Sequence, residues 1–226
     1  MKWEEVRGGE MKNNVIHLPM RSPFTIFAPK LRPMDIASVI QSPITAELED
    51  FRQLFERSLS SSNPLLNRVI EHIRQRSGKM MRPILVLLTA KLHGGAGLEA
   101  FHSAVALELL HNARLVHDDV VDESAERRGQ LSVNAVFNNK VAVLSGDYLL
   151  ATALVQVAQT RNHDIIDVVS ALGQDLADGE LLQLSNVSNP DFSEQVYFEV
   201  IRKKTAVLFA ACMKAGALSV GAGDEK

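Results

Sequence analysis

The chain predicts an all-α fold, a bundle of long helices. Three observations carry this reading. From Asp35 onward, apolar residues recur every three or four positions, the period of one helix face. Helix-type start and stop residues, Asn63-Pro64, Pro83 and Gly94-Gly95, bracket the apolar segments. No pair of alternating runs joined by a tight turn forms a convincing strand hairpin. Several segments are apolar on most faces, which places them inside a bundle.

Ile44, Leu48, Phe51, Leu54 and Phe55 keep helical spacing and define the first helix. Asn63-Pro64 opens a second, with proline at the first helical position, where its missing N–H is no loss. Leu65, Val69, Ile70 and Ile73 line its buried face, and Gly78 ends it. Pro83 opens another helix that Gly94-Gly95 closes. The run Ile84 to Leu88 taken alone reads as a strand, but the helix-type caps on both sides argue for a buried helix. The next helix runs from about Leu98 to Val121 and carries aspartates at its far end. Residues 126–140 read as a polar loop. Later helices are expected from about Val141 to Thr160, Asp164 to Leu184, and Phe192 to Val220. Residues 1–33 read as a flexible N-terminal extension. They hold Pro19, Pro23, Pro29 and Pro33 and no sustained helical period, with Met34 as the natural start. Glu4, Glu5 and Glu10 weigh against a transit peptide. Residues 34–226 read as a partial helical domain.

The 226 residues suit one large domain or two small ones. The net charge of −3 and 5% aromatic content give no reason to expect nucleic acid as a partner. A single cysteine, Cys212, excludes an internal disulfide and fits a reducing compartment. No apolar run approaches the ~18–20 residues of a transmembrane segment. Met1-Lys2-Trp3-Glu4-Glu5 does not open a secretory signal. A cytoplasmic protein is expected.

The chemistry concentrates in residues 111–129. Asp118, Asp119 and Asp122 end an apolar helical run, and Arg127 and Arg128 follow. On a helix, Asp118 and Asp122 are one turn apart and share a face, with His111 two turns earlier on that face. Like charges so close repel, and acid at a helix C-terminus opposes the macrodipole. A divalent cation between the carboxylates relieves both, and oxygen-only ligation suits Mg²⁺. The alternative is a solvated acidic helix end. Paired arginines suit the bidentate demands of a phosphate. Together these groups read as a diphosphate-handling site.

The segment from Asp118 to Asp122 resembles the first aspartate-rich motif, DDxxD, of the trans-polyprenyl diphosphate synthases. Other landmarks agree in order. Residues 77–83, Ser-Gly-Lys-Met-Met-Arg-Pro, resemble the GGKRxRP segment, with Met80 in place of the usual arginine. Glu108-Leu109-Leu110-His111 is similar to the E-x-x-H before DDxxD. Gly146 to Leu150 resembles GDYLL, and Lys204-Thr205-Ala206 resembles KTA. The resemblance runs from about Met34 to the last residue. It implies a helical fold of the isoprenoid-synthase type that joins isopentenyl diphosphate to an allylic diphosphate and is Mg²⁺-dependent. It further implies Asp118, Asp119 and Asp122 as the metal-binding, catalytic carboxylates. Lys79, Arg82, His111 and Arg128 would hold isopentenyl diphosphate, and Arg127, Lys204 and Thr205 the allylic diphosphate. Glu180 and Gln183 lie in a segment resembling GE-x-x-Q, and whether they serve the site is left open.

In such enzymes bulky side chains four and five residues before DDxxD act as a tunnel floor. Here the fifth is Ala113, which implies an open tunnel and a long-chain product. The fourth is Arg114, a departure from the small or apolar residue usual there. Arg114 either pairs with Asp118 and competes with the metal, obstructs the tunnel, or turns aside. Impaired or shortened elongation is the expectation.

The 226 residues contain no second DDxxD after Lys204-Thr205. The bundle is therefore expected to be incomplete at its C-terminus, and the chain alone to have little synthase activity. A homodimer, or pairing with a homologous chain as a non-catalytic subunit, is expected, with a decayed gene product as the alternative. A di-iron bundle is disfavoured. Its two Glu-x-x-His pairs should lie on two helices, whereas Glu99-x-x-His102 and Glu108-x-x-His111 fall on one.

Overall fold

The computed structural model describes residues 36–75, 78–187, 189 and 193–222. The extension 1–33, Met34, Ser77 of the SGKMMRP segment, Phe192 and the last four residues lie outside the described residues. Among the described residues, ten α-helices follow one another, with one two-stranded ladder: α1 (Ile36–Gln41), α2 (Thr45–Ser58), α3 (Pro64–Arg74), α4 (Met81–Leu92), α5 (Leu98–Val121), β1 (Glu126–Arg127), β2 (Gln130–Leu131), α6 (Val133–Phe137), α7 (Asn139–Gln159), α8 (His163–Asn186), α9 (Glu194–Ile201) and α10 (Val207–Leu218).

α5 is the spine. Ala100, Ala104, Val105, Ala106, Leu107 and Leu109 are fully enclosed, because α2, α4, α7, α8 and α10 all pack on this one helix. Small residues at its centre let those helices close in from every side. The expected cap at Asn63 forms, its side chain accepting hydrogen bonds from the Leu65 and Leu66 amides. Asn162, which the sequence did not single out, starts α8 in the same way. The run Ile84 to Leu88 is helical, but α4 begins at Met81 rather than at Pro83, and α3 ends at Arg74, before Gly78.

The structure departs from the sequence reading in four further places. Ser42–Ile44 is a 3₁₀ turn that separates α1 from α2; Pro43 has no N–H to continue an α-helix. The polar loop 126–140 contains both the short ladder and α6. Glu126 pairs with Leu131 and Arg127 with Gln130. Arg128 and Gly129, at the turn, both have positive φ (56° and 78°), the pattern of a two-residue hairpin turn. The last predicted helix is broken between α9 and α10 by a π-helical turn, Arg202–Ala206. Finally, α7 is long and apolar enough, at a mean hydropathy of 1.6, to cross a membrane by length and composition. Lys140 and Asp147 mask this in the sequence. Here α7 lies along α5, with Ala142, Leu149, Ala153 and Val157 in the core. Leu144, Leu154 and Val155 on its other side are exposed.

α4 and α10 touch where Gly216 meets α4: an added Cβ would collide with the Val86 carbonyl oxygen. Gly216→Ala is therefore expected to cost about 1–3 kcal/mol in urea unfolding, the scale of an overpacked core. Gly173→Ala, where nothing lies within 4 Å of the added carbon, should be neutral or stabilising by up to about 1 kcal/mol through helix propensity.

Candidate functional site

The C-terminal half of α5 divides two environments. One of its faces, with Leu110, Ala113, Arg114 and Asp118, looks across at α8. A cavity of about 520 Å³ lies there, walled by Leu110, Ala113, Leu150, Leu176, Ala177 and Leu184. Its walls are mostly hydrocarbon, and Asp118, Arg114, His117 and Glu180 line its polar part. Ala113 is buried against this space, so no large side chain from that position fills it.

Arg114 does not turn aside. Its Nε lies 3.4 Å from Asp118 Oδ2, its Nη2 donates to Glu180 Oε2 at 3.0 Å, and its Nη1 donates to the Lys204 carbonyl at 3.0 Å. Lys204 Nζ lies 2.7 Å from the same Glu180 oxygen and donates to Gln183 Oε1 at 2.6 Å. Glu180 Oε1 is buried without a hydrogen-bond partner among the described residues. Burial works against the Glu180 carboxylate, but hydrogen bonds from Lys204 and Arg114 outweigh it and hold its pKa below the usual carboxylate range. Asp118 goes the other way. Burial, with Glu180 and Asp122 nearby, raises its pKa against the opposing pull of Arg114. The GE-x-x-Q residues left open by the sequence are thus the hub of the cluster. The π turn makes the meeting possible. Its wider winding is common at functional sites, and Gly179 lets it approach α8, since a Cβ there would stand 2.7 Å from Lys203 Cβ.

Asp119 is buried, 1% exposed, and accepts from Arg127 Nε at 2.6 Å. Asn134 Nδ2 donates to the Asp119 and Ser124 carbonyls. The three aspartates therefore part company: Asp118 faces the cavity, Asp119 anchors the hairpin, and Asp122 is exposed as the residue capping α5. Among the described residues, no three His, Cys, Asp or Glu side chains are gathered as a ready metal cage. Cationic groups, Arg114 and Lys204, stand among the acids instead.

A second basic group forms around His111. Arg82, Arg114, Arg128 and Arg127 all act on it electrostatically, and burial with these charges pushes its pKa from 6.5 to about 3. The Arg128 guanidinium lies over Gly78, where an added Cβ would stand 2.6 Å from its Nη1. The glycine of the SGKMMRP segment thus seats the hairpin arginine. Arg82 is half-buried, its pKa lowered by burial. It faces Glu108, whose carboxyl burial pushes up. Arg82 Nε and Glu108 Oε2 are each buried without a hydrogen-bond partner among the described residues. Lys79 is exposed in the loop before α4, and Thr205 is exposed on the π turn. The sequence did not single out Asn134; its only signal is an amide in a loop that must be held against α5. Glu99, His102, Glu108 and His111 lie on the single helix α5, and His102 is engaged by Gln156 Oε1 at 2.8 Å from Nδ1, which removes the di-iron arrangement.

A helical bundle built round one aspartate-tipped helix, with basic segments at its end and a hydrocarbon cavity beside it, defines the isoprenoid-synthase class of fold. Residues 63–226 match the Polyprenyl synthetase family, and the chain belongs to that family. It is 37% identical over 189 residues to the all-trans-nonaprenyl-diphosphate synthase (geranyl-diphosphate specific) of Rhodobacter capsulatus, covering 83% of this chain and 58% of that protein. It is 37% identical to heptaprenyl diphosphate synthase component 2 of Geobacillus stearothermophilus, covering 80% and 57%. The crystal structure of a decaprenyl diphosphate synthase from Rhodobacter capsulatus superposes with a TM-score of 0.80 at 35% identity, covering 83% of this chain and 58% of that one. A geranylgeranyl pyrophosphate synthase from Bacteroides thetaiotaomicron is 59% identical with a TM-score of 0.71, covering 85% and 57%. The chain thus spans rather more than half the length of each relative.

His111 yields a stability prediction. Its folded pKa of about 3 lies below the ordinary 6.5, so between these values the unfolded chain binds the extra proton. Stability is fully present above about pH 6.5 and is lost as pH falls toward 3. In urea unfolding across that range, His111→Gln should flatten the acid limb by a few kcal/mol.

Proposed function

We propose that this chain carries the first-aspartate side of a Mg²⁺-dependent prenyl transfer that joins isopentenyl diphosphate to an allylic diphosphate and makes a long-chain trans-polyprenyl diphosphate. The observation that carries the reading is the hydrocarbon cavity beside Asp118, with basic groups on both flanks. Only a substrate that is anionic at one end and apolar along its length uses both.

Asp118 and Asp122, one turn apart on α5, would hold Mg²⁺, with the unpartnered Glu180 Oε1 a further oxygen on α8; these are the oxygen donors a hard cation prefers. The metal would supply charge withdrawal from the allylic diphosphate. Asp119 acts at one remove by fixing Arg127. Arg127, Lys204 and Thr205 receive the allylic diphosphate; Lys79, Arg82, His111 and Arg128 receive that of isopentenyl diphosphate. His111 offers a ring N–H to that diphosphate. These cations stabilise the charge on diphosphate as the allylic carbon–oxygen bond breaks and its electron pair leaves with oxygen. The alkene of isopentenyl diphosphate then supplies the electrons for the new carbon–carbon bond, and loss of a proton restores a double bond. The product's tail runs between α5 and α8, past Ala113.

A second reading is assembly with another chain, its own copy or a homologous one. The exposed Leu144, Leu154 and Val155 of α7 favour it. One relative bears a component designation.

The test is calorimetric binding of farnesyl thiodiphosphate, a non-reacting allylic analogue, with and without Mg²⁺. Binding should require the metal, and Asp118→Ala should weaken it by more than the ~10–100-fold typical of losing an outer-shell partner. Equal binding without metal, or by the variant, would sink the reading.

A further inference from the structure

We propose that Arg114 is an internal cation latch: its guanidinium holds the carboxylates that metal-bound diphosphate must use, so ligand entry requires its release. The inference rests on the functional reading above, because it assumes that Asp118 and Glu180 face the metal.

Arg114 donates hydrogen bonds from both terminal nitrogens and pairs ionically through Nε, so it engages oxygens on three separate elements. Its partners are Asp118 on α5, Glu180 on α8 and the Lys204 carbonyl on the π turn. Its side chain is 15% exposed and that of Glu180 13%. All three acceptors are oxygens, the donor type a hard cation prefers. The guanidinium therefore occupies the place where a divalent ion would sit closest to both carboxylates. Charge balance says the same. Asp118 and Glu180 contribute two negative charges; Arg114 and Lys204 contribute two positive ones. These four groups sum to zero as folded, so an arriving Mg²⁺ finds Asp118 and Glu180 already compensated, with only the exposed Asp122 left over. With a neutral residue at position 114, the same pocket keeps one net negative charge and two free donor edges.

The latch has somewhere to go. Arg114 lines the cavity beside Asp118, and a guanidinium displaced from carboxylates is suited to a bidentate grip on phosphate. Asp118 and Glu180 would then be free to hold Mg²⁺ while the arginine grips the diphosphate. The departure from the small residue usual at this position thus sets the metal affinity of the free protein.

The deciding experiment titrates Mg²⁺ alone into wild type, Arg114→Ser and Asp118→Asn by calorimetry, with circular dichroism confirming helicity. Arg114→Ser should bind Mg²⁺ roughly ten- to a hundred-fold more tightly than wild type, the usual size of a coupling between two ligands. Millimolar guanidinium chloride, but not sodium chloride, should return the variant toward wild type by refilling the vacated place. Equal Mg²⁺ affinity in wild type and Arg114→Ser, abolished by Asp118→Asn, overturns the latch and leaves the functional reading standing. No Mg²⁺ binding by any protein, with farnesyl thiodiphosphate binding also absent, overturns both. If Arg114→Ser does not fold, Arg114→Lys serves in its place. It keeps the charge but loses the three-way fork, so an unchanged Mg²⁺ affinity overturns the latch and a gain supports it.

Discussion

The site is organised by one carboxylate. Glu180 receives Arg114 from α5 and Lys204 from the π turn on a single oxygen. A half-buried charge on α8 is costly unless cations are held against it. Holding them requires α5, α8 and the segment before α10 to meet at one point. The π turn between α9 and α10, the close approach at Gly179 and the orientation of Arg114 all serve that requirement. The depressed pKa of Glu180 is its electrostatic signature.

The second organising fact is the use of α5 as a two-sided wall. Packing along its length anchors it against six other helices, α2, α4, α6, α7, α8 and α10. Its C-terminal half is then rigid enough to present Ala113, Arg114 and Asp118 to the hydrocarbon cavity, while His111 faces the arginines. Asp119 points to neither side of this divide. It sits in the core and ties the hairpin down through Arg127. The DDxxD segment is thus a structural joint as well as part of the cavity wall, and its three acids sit in three different environments.

Much of this was legible in the chain before any coordinates. The boundaries of α5 and the start of α3 follow from caps and apolar period. The convergence of the SGKMMRP segment, His111 and Arg128 follows from the family resemblance. Other features were not legible. The π turn leaves no mark in a 3.6-residue pattern, because it adds one residue to a single turn. The two-residue ladder is too short to show alternation. The role of Glu180 was undecidable, since a Glu-x-x-Gln pair on a helix surface is commonplace until a lysine from another element reaches it.

Local rules therefore determined the helical class, the extents of the long helices and the cluster of acids beside paired arginines. Period, capping and charge density act between residues close in sequence. The tertiary structure alone decided that Arg114, besides the one-turn pairing with Asp118 that the sequence offered, closes on Glu180 and the Lys204 carbonyl, that Asp119 belongs to Arg127, and that the space beside Ala113 is open. Apart from the one-turn Arg114–Asp118 pair, these pairings join residues eight to ninety positions apart. Which of several nearby charges a carboxylate takes is set by packing that brings distant segments within hydrogen-bond reach, and no local pattern encodes that.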